Sequence, residues 1–242
     1  MAGAALIALG MIGADGAVAQ DKFVHTYEMR LLGVRGATAT FEGRAREGGY
    51  FVEARARGTG ILGFLSNARF DGNARGGYEA SPGEASGFAP AEFYQRGAYR
   101  GDSRQLNMRY TGGVPTSVVF TPERDPDDDP IPPLDEQAGT LDPLTSVLRF
   151  TWPGTPQEIC GREIDSFTGS RRTLIEMEPP QPAGNGQYTC KAQYSRTKGF
   201  ENQKRKRFPF TATLRQRSDG LYEVWRIVGA TDFGRMTIQR TN

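Results

Sequence analysis

The sequence predicts an all-β, mainly antiparallel protein: a curled sheet or an up-and-down β-barrel-like domain with one or two short helices. Three observations predict it. Apolar and polar residues alternate with a period of two over most of the chain after Val24. The alternating runs are divided by short turns, in a chain of 242 residues that holds 31 glycines and 15 prolines. Strands never alternate regularly with long helical segments, which excludes a doubly wound parallel sheet.

The elements follow in order. In "FVHTYEMRLL", Phe23, His25, Tyr27, Met29 and Leu31 share one strand face, and Gly33 ends the run. "ATATFEGRARE" and "YFVEARARG" read as a hairpin about Gly48-Gly49. In the second of these, Val52, Ala54 and Ala56 should face inward, and Phe51, Glu53, Arg55 and Arg57 outward. "GILGFLSNARF" breaks the pattern. Ile61, Leu62, Phe64 and Leu65 have helical spacing, which predicts a short helix or turn over one end of the barrel. The strands "ARFDGNAR", "EFYQRGAYRG", "RQLNMRYTGG" and "TSVVFTPE" come next.

The character then changes. Arg124–Gly139 is acidic and proline-rich, and reads as a loop. In "LDPLTSVLRF", Asp142 is a good N-cap and Pro143 suits the first helical position. Leu144, Val147 and Leu148 form an apolar stripe. Strands return in "REIDSFTG" and "RRTLIEMEP", a hairpin about Thr168-Gly169, and in "QYTCKAQYSR", which follows an Asn-Gly turn. "FPFTATLRQ", "LYEVWRIVG" and "FGRMTIQR" complete about a dozen strands, with a turn at Ser218-Asp219-Gly220.

The first residues read as an export signal. Ala2–Gly13 is apolar but too short to span a bilayer, and Ala17-Val18-Ala19 fits a small-x-small cleavage site. Residues 1–19 are the expected signal peptide, and Gln20 to Asn242 the expected single mature domain. The segment departs from a usual signal in lacking Lys or Arg before the apolar run, which a start codon further upstream would supply. No later stretch is long and apolar enough for a membrane helix.

Cys160 and Cys190 are the two cysteines, and in an exported chain they are expected to pair. Closing that loop contributes about 3–4 kcal/mol in the chain-entropy model. The rival reading, a reactive thiol, wants a base nearby, and the single histidine, His25, is far away in sequence. His25 as a general base competes with His25 packed on a strand's apolar face, and the packed reading is favoured.

Composition excludes some functions. With 30 basic and 28 acidic side chains, the net charge is +2, against a dedicated nucleic-acid binder. Asp125, Asp127, Asp128 and Asp129 offer hard oxygens for calcium, but without the EF-hand order and with prolines between, so a solvated loop is favoured. The catalytic and nucleotide-binding motifs G-x-S-x-G, G-x-x-x-x-G-K-[ST], H-E-x-x-H and C-x-x-C do not occur. No catalytic residues, metal ligands or cofactor are assigned.

Two basic features remain. Lys204, Arg205, Lys206 and Arg207 are consecutive. They read either as a solvated turn or as a surface patch that touches anionic head groups peripherally. Arg171 and Arg172 follow a Thr-Gly-Ser turn. Adjacent strand residues point to opposite faces, so one arginine looks outward and the other toward the interior or rim. An inward arginine needs a partner. It is a structural ion pair or, on the sharper reading, a ligand-binding hook for an anion.

Taken together, "YEMRLLGVRGATATFEGRA", the acidic loop, "LDPLTSVLRF", "SFTGSRRTLIEM" between the cysteines, "YTCKAQYSRTKGF", "FPFTATLR" and "TDFGRMTIQR" resemble the bacterial domain of unknown function family 3108 (DUF3108) over nearly the whole mature chain. Thr168, where an acidic residue is usual, and the Lys204–Arg207 cluster depart from its pattern. More weakly, the chain is similar to half-barrel lipoprotein carriers. The resemblance implies a periplasmic, β-rich protein and no established reaction. Two function classes follow. The first is a non-enzymatic periplasmic protein, expected to be monomeric, that binds a lipid, glycan or protein partner in cell-envelope maintenance. The second is a hydrolase of an envelope polymer, which requires two carboxylates converging in a cleft.

Overall fold

The structure is a computed structural model that describes residues 21–60, 63, 67–79, 87–125, 128–201, 203 and 206–242. The expected signal peptide at residues 1–19, the helix expected at Ile61–Leu65 apart from Gly63, and Lys204 and Arg205 of the basic cluster lie outside them.

The long alternating runs form one antiparallel sheet. Its strands are β1 (Asp21–Leu31), β2 (Val34–Arg46), β3 (Gly49–Gly58), β4 (Arg69–Glu79), β5 (Gly87–Tyr99), β6 (Asp102–Thr111), β7 (Val114–Thr121), β8 (Ile164–Phe167), β9 (Arg172–Met177), β10 (Gln181–Gly184), β11 (Gln187–Lys198), β12 (Arg207–Gln216), β13 (Tyr222–Thr231) and β14 (Gly234–Arg240). The order is β7-β6-β5-β4-β3-β2-β1-β14-β13-β12-β11-β9-β8, with β10 beside β11. It is a meander in two halves, joined where β1 pairs with β14, Met29 lying opposite Ile238.

The sheet curls but does not close, so the barrel alternative is corrected: β7 and β8 do not pair. The reason lies in the connection between them, which is long and carries structure of its own. Helix α1 (Pro143–Thr151) and the short α2 (Pro156–Cys160) sit there, preceded by a 3-10 turn at Asp135–Gln137. Leu141 takes the edge of β8 in place of β7, donating its N–H to Asp165 and accepting from Phe167. Gly139 donates in turn to Gly113, at the β6–β7 turn. Leu141 thus covers part of the β8 edge, which would otherwise be open to another chain.

Helix α1 divides the interior. Leu144, Leu148 and Trp152 pack against Val52, Ala54, Ala74, Phe93, Leu106 and Met108 of the N-terminal half. Phe150 packs with Ile159, Ile164, Ala212, Leu214 and Val224 of the C-terminal half. Both ends of this nine-residue helix meet charged groups that complete its unpaired backbone. Asp142, fully buried, accepts from the N–H groups of Leu144 and Thr145 at 2.9 and 3.0 Å. Arg162, also buried, donates to the carbonyls of Arg149 and Trp152 at 2.7 and 2.8 Å. A carboxylate at the N-terminus and a guanidinium at the C-terminus both complement the helix dipole.

Cys160 and Cys190 form a disulfide that ties the end of α2 to β11, their Cα atoms 5.5 Å apart. Both lie within the C-terminal core.

Candidate functional site

The inward-facing residues of β1 run from a filled interior to an open one. Phe23 stacks edge-on against Trp152, and His25 and Tyr27 are buried. Met29 and Leu31, further along the same face, line a groove. The opposite wall is α1, through Ser146, Val147 and Phe150. The remaining walls come from alternate positions on β9 (Ile175), β11 (Tyr194), β12 (Phe208, Phe210), β13 (Ile227, Gly229) and β14 (Met236, Ile238). Gly229 keeps this wall smooth: a Cβ there would lie 2.7 Å from that of Phe210. The groove holds about 570 Å³ and is lined almost wholly by carbon. Its volume is in the range of small-molecule sites.

Polar groups gather at one end. Arg196 and Asp232 form an ion pair at 3.0 Å. The Arg196 guanidinium also lies over Phe208 and Phe200, at 4.5 and 5.3 Å from the ring centroids. Arg171 also lies over Phe200, 4.9 Å from its centroid. The Tyr194 hydroxyl, at the groove wall, is held above its ordinary pKa by burial, and Arg196 and Arg171 act against that rise. The one cation that lines the groove, Arg196, is thus balanced by Asp232, and Arg171 stands beside it across Phe200.

The two arginines of the β8–β9 hairpin separate as the alternation predicts. Arg172 donates to Asp165 through Nε, at 2.9 Å, and through Nη2, and to the Glu136 carbonyl through Nη1 at 2.8 Å. This is the structural ion pair. Arg171 is exposed at the rim and pairs with no carboxylate among the described residues. Neither is a lining residue of the groove. Lys206 and Arg207 are exposed at the start of β12.

His25 is 4% exposed, in contact with the rings of Phe23 and Tyr27. Its Nδ1 has no hydrogen-bond partner among the described residues. Burial, together with Arg240 and Arg217, lowers its pKa to about 4. It is a packed, neutral ring. In the acidic loop, Asp128 pairs with Arg124 at 3.5 Å and Arg104 at 3.8 Å. Among the described residues no group of three or more His, Cys, Asp or Glu is arranged to hold a metal. Asp232 is the one carboxylate among the described residues that line the groove, and Arg196 already occupies it.

Arg196 and the aromatic wall were not singled out from sequence. Alternation places Tyr194 and Arg196 on one face of β11, but nothing local says that α1 stands away from that face and leaves it open. No protein-family model matches the chain, and no curated protein or solved structure matches it.

Proposed function

We propose that this is a non-enzymatic envelope protein that holds a lipid, one acyl chain lying in the groove between α1 and β11–β14 with its anionic head toward Arg171 and Arg196. The observation that carries the reading is the groove itself, with its carbon lining and with Arg196 and the exposed Arg171 beside Phe200 at one end. A glycan needs many hydrogen-bonding groups along its site, and this lining offers few. An acyl chain needs none: each buried methylene contributes about 0.8 kcal/mol before the costs of association. The hydrolase reading finds no pair of carboxylates in the groove to rest on.

The apolar N-terminal segment and the buried disulfide both support export to an oxidising compartment, and we place the protein in the periplasm on that ground. Membership of the DUF3108 family is part of the same proposal. No helix among the described residues is long and apolar enough to cross a membrane.

Native mass spectrometry of protein isolated without detergent tests the reading. The expected result is a lipid-sized adduct that extracts into organic solvent. It should be absent from Val147→Trp, which fills the groove from α1. A bare mass for the wild type, or an unchanged adduct in the variant, overturns it.

A further inference from the structure

Among the described residues, four of the nine large hydrophobic side chains that are exposed stand at one corner of the molecule: Met29, Leu32, Val34 and Phe233. Leu32 and Phe233 sit in two neighbouring turns, with Met29 and Val34 on the strands beside the first. Leu32-Gly33 joins β1 to β2, and Asp232-Phe233 joins β13 to β14. The turns are bonded to each other, Leu32 donating its N–H to the Arg235 carbonyl at 2.8 Å. Leu32 also lies across Gly234, where a Cβ would come within 2.6 Å of its side chain. The corner is continuous with the groove, since Met29 and Phe233 line its mouth.

Leu32 is the informative residue. Its φ is +51°, a left-handed conformation that bulky L-residues avoid. Leu32 is 68% exposed, and Phe233 77%. A two-residue hairpin turn is made most easily by Asn-Gly or Asp-Gly. Leucine there costs stability twice, in backbone strain and in apolar surface left in water. Strain of this kind persists where another role maintains it.

Among the described residues, cations outnumber carboxylates around the corner. Arg30, Arg35, Arg235, Lys206 and Arg207 are exposed cations on the flanking strand ends. The carboxylates beside them are engaged already: Glu28 by Arg30 and Arg35, and Asp232 by Arg196. Apolar wedges ringed by cations match a bilayer of anionic lipid, with side chains in the acyl boundary and guanidinium groups at the phosphates.

We infer that the Leu32 and Phe233 turns insert into the surface of an anionic bilayer and bring the groove's mouth against it. This surface docking is separate from occupancy of the groove, and the experiment keeps the two apart.

The full mature protein is floated with phosphatidylcholine vesicles with and without 30% phosphatidylglycerol. Comparison is made with the double variant Leu32→Asn/Phe233→Ser and with Val147→Trp. The expected result is at least a tenfold preference of the wild type for anionic vesicles, weakened by 0.5 M salt. The double variant should lose it, while its thermal midpoint stays equal or rises because Asn relieves the turn. Val147→Trp should float as the wild type does. Equal partition of the double variant and the wild type overturns the inference. So do indifference of the wild type to anionic lipid, and burial of the corner in a dimer detected by sedimentation.

Discussion

Two buried titratable residues set opposing trends with pH. His25 has its pKa lowered from 6.5 to about 4, chiefly by burial. The neutral ring is the folded form, so its contribution is present above pH 6.5 and is lost as the pH falls toward 4. Asp142 has its pKa raised from 3.8 to about 6, because burial outweighs its hydrogen bonds to Thr145 and Leu144. Its contribution is present below 3.8 and is lost as the pH rises through 6. Between pH 4 and 6 the two partly cancel. Asp142→Asn, which keeps an N-cap, should therefore become more acid-sensitive than the wild type. His25→Gln should become less so. Urea unfolding at pH 4.5 and 7 measures both, and parallel shifts in the two variants would contradict the assignment. Asp142 was legible in sequence as a cap, because cap and helix are local. That its carboxylate is fully buried, linked through Thr145 to the Tyr50 hydroxyl, was not, because strand β3 brings that ring there from far along the chain.

Among the elements, α1 was the clearest in sequence, and it is also the one on which both cores depend. Leu148 is 1% exposed in the first core, and Leu148→Ala should cost about 2–5 kcal/mol. Arg162→Met removes the two C-terminal hydrogen bonds and should cost about 3 kcal/mol, read as a fall in the denaturant midpoint at unchanged slope. The partner role of Arg162 had no local signal, since the carbonyls it serves lie 10 and 13 positions earlier. The short α2 does carry a local signal: Thr155-Pro156-Gln157-Glu158 is a capping box, completed by Glu158 accepting from the Thr155 N–H at 2.6 Å. Reducing the disulfide that anchors α2 to β11 should destabilise by about 3–4 kcal/mol. For a domain of this size that lowers the thermal midpoint by roughly 6–16 °C, seen in paired scans with and without reductant.

At the scale of the whole molecule, the period-two pattern and turn residues predicted nearly every strand. Turns such as Ser218-Asp219-Gly220 join the strands that they mark. The short β10 was missed, being four residues that include a proline at an exposed edge. Closure could not be read from sequence. Whether β7 meets β8 depends on what the long connection between them does in space. Here it packs α1 inside the sheet and lays Leu141 along β8. The openness left by that arrangement, with α1 supported by Leu144 and Leu148 on one side and facing the groove with Val147 on the other, is the basis of the function proposed. The most direct test is titration of delipidated protein with a fluorescent long-chain fatty acid, for the wild type and Val147→Trp in parallel. The account predicts saturable one-to-one binding by the wild type, weakened at least tenfold in a variant whose thermal midpoint is little changed. Absence of saturable binding, or equal affinity in the two proteins, would contradict it.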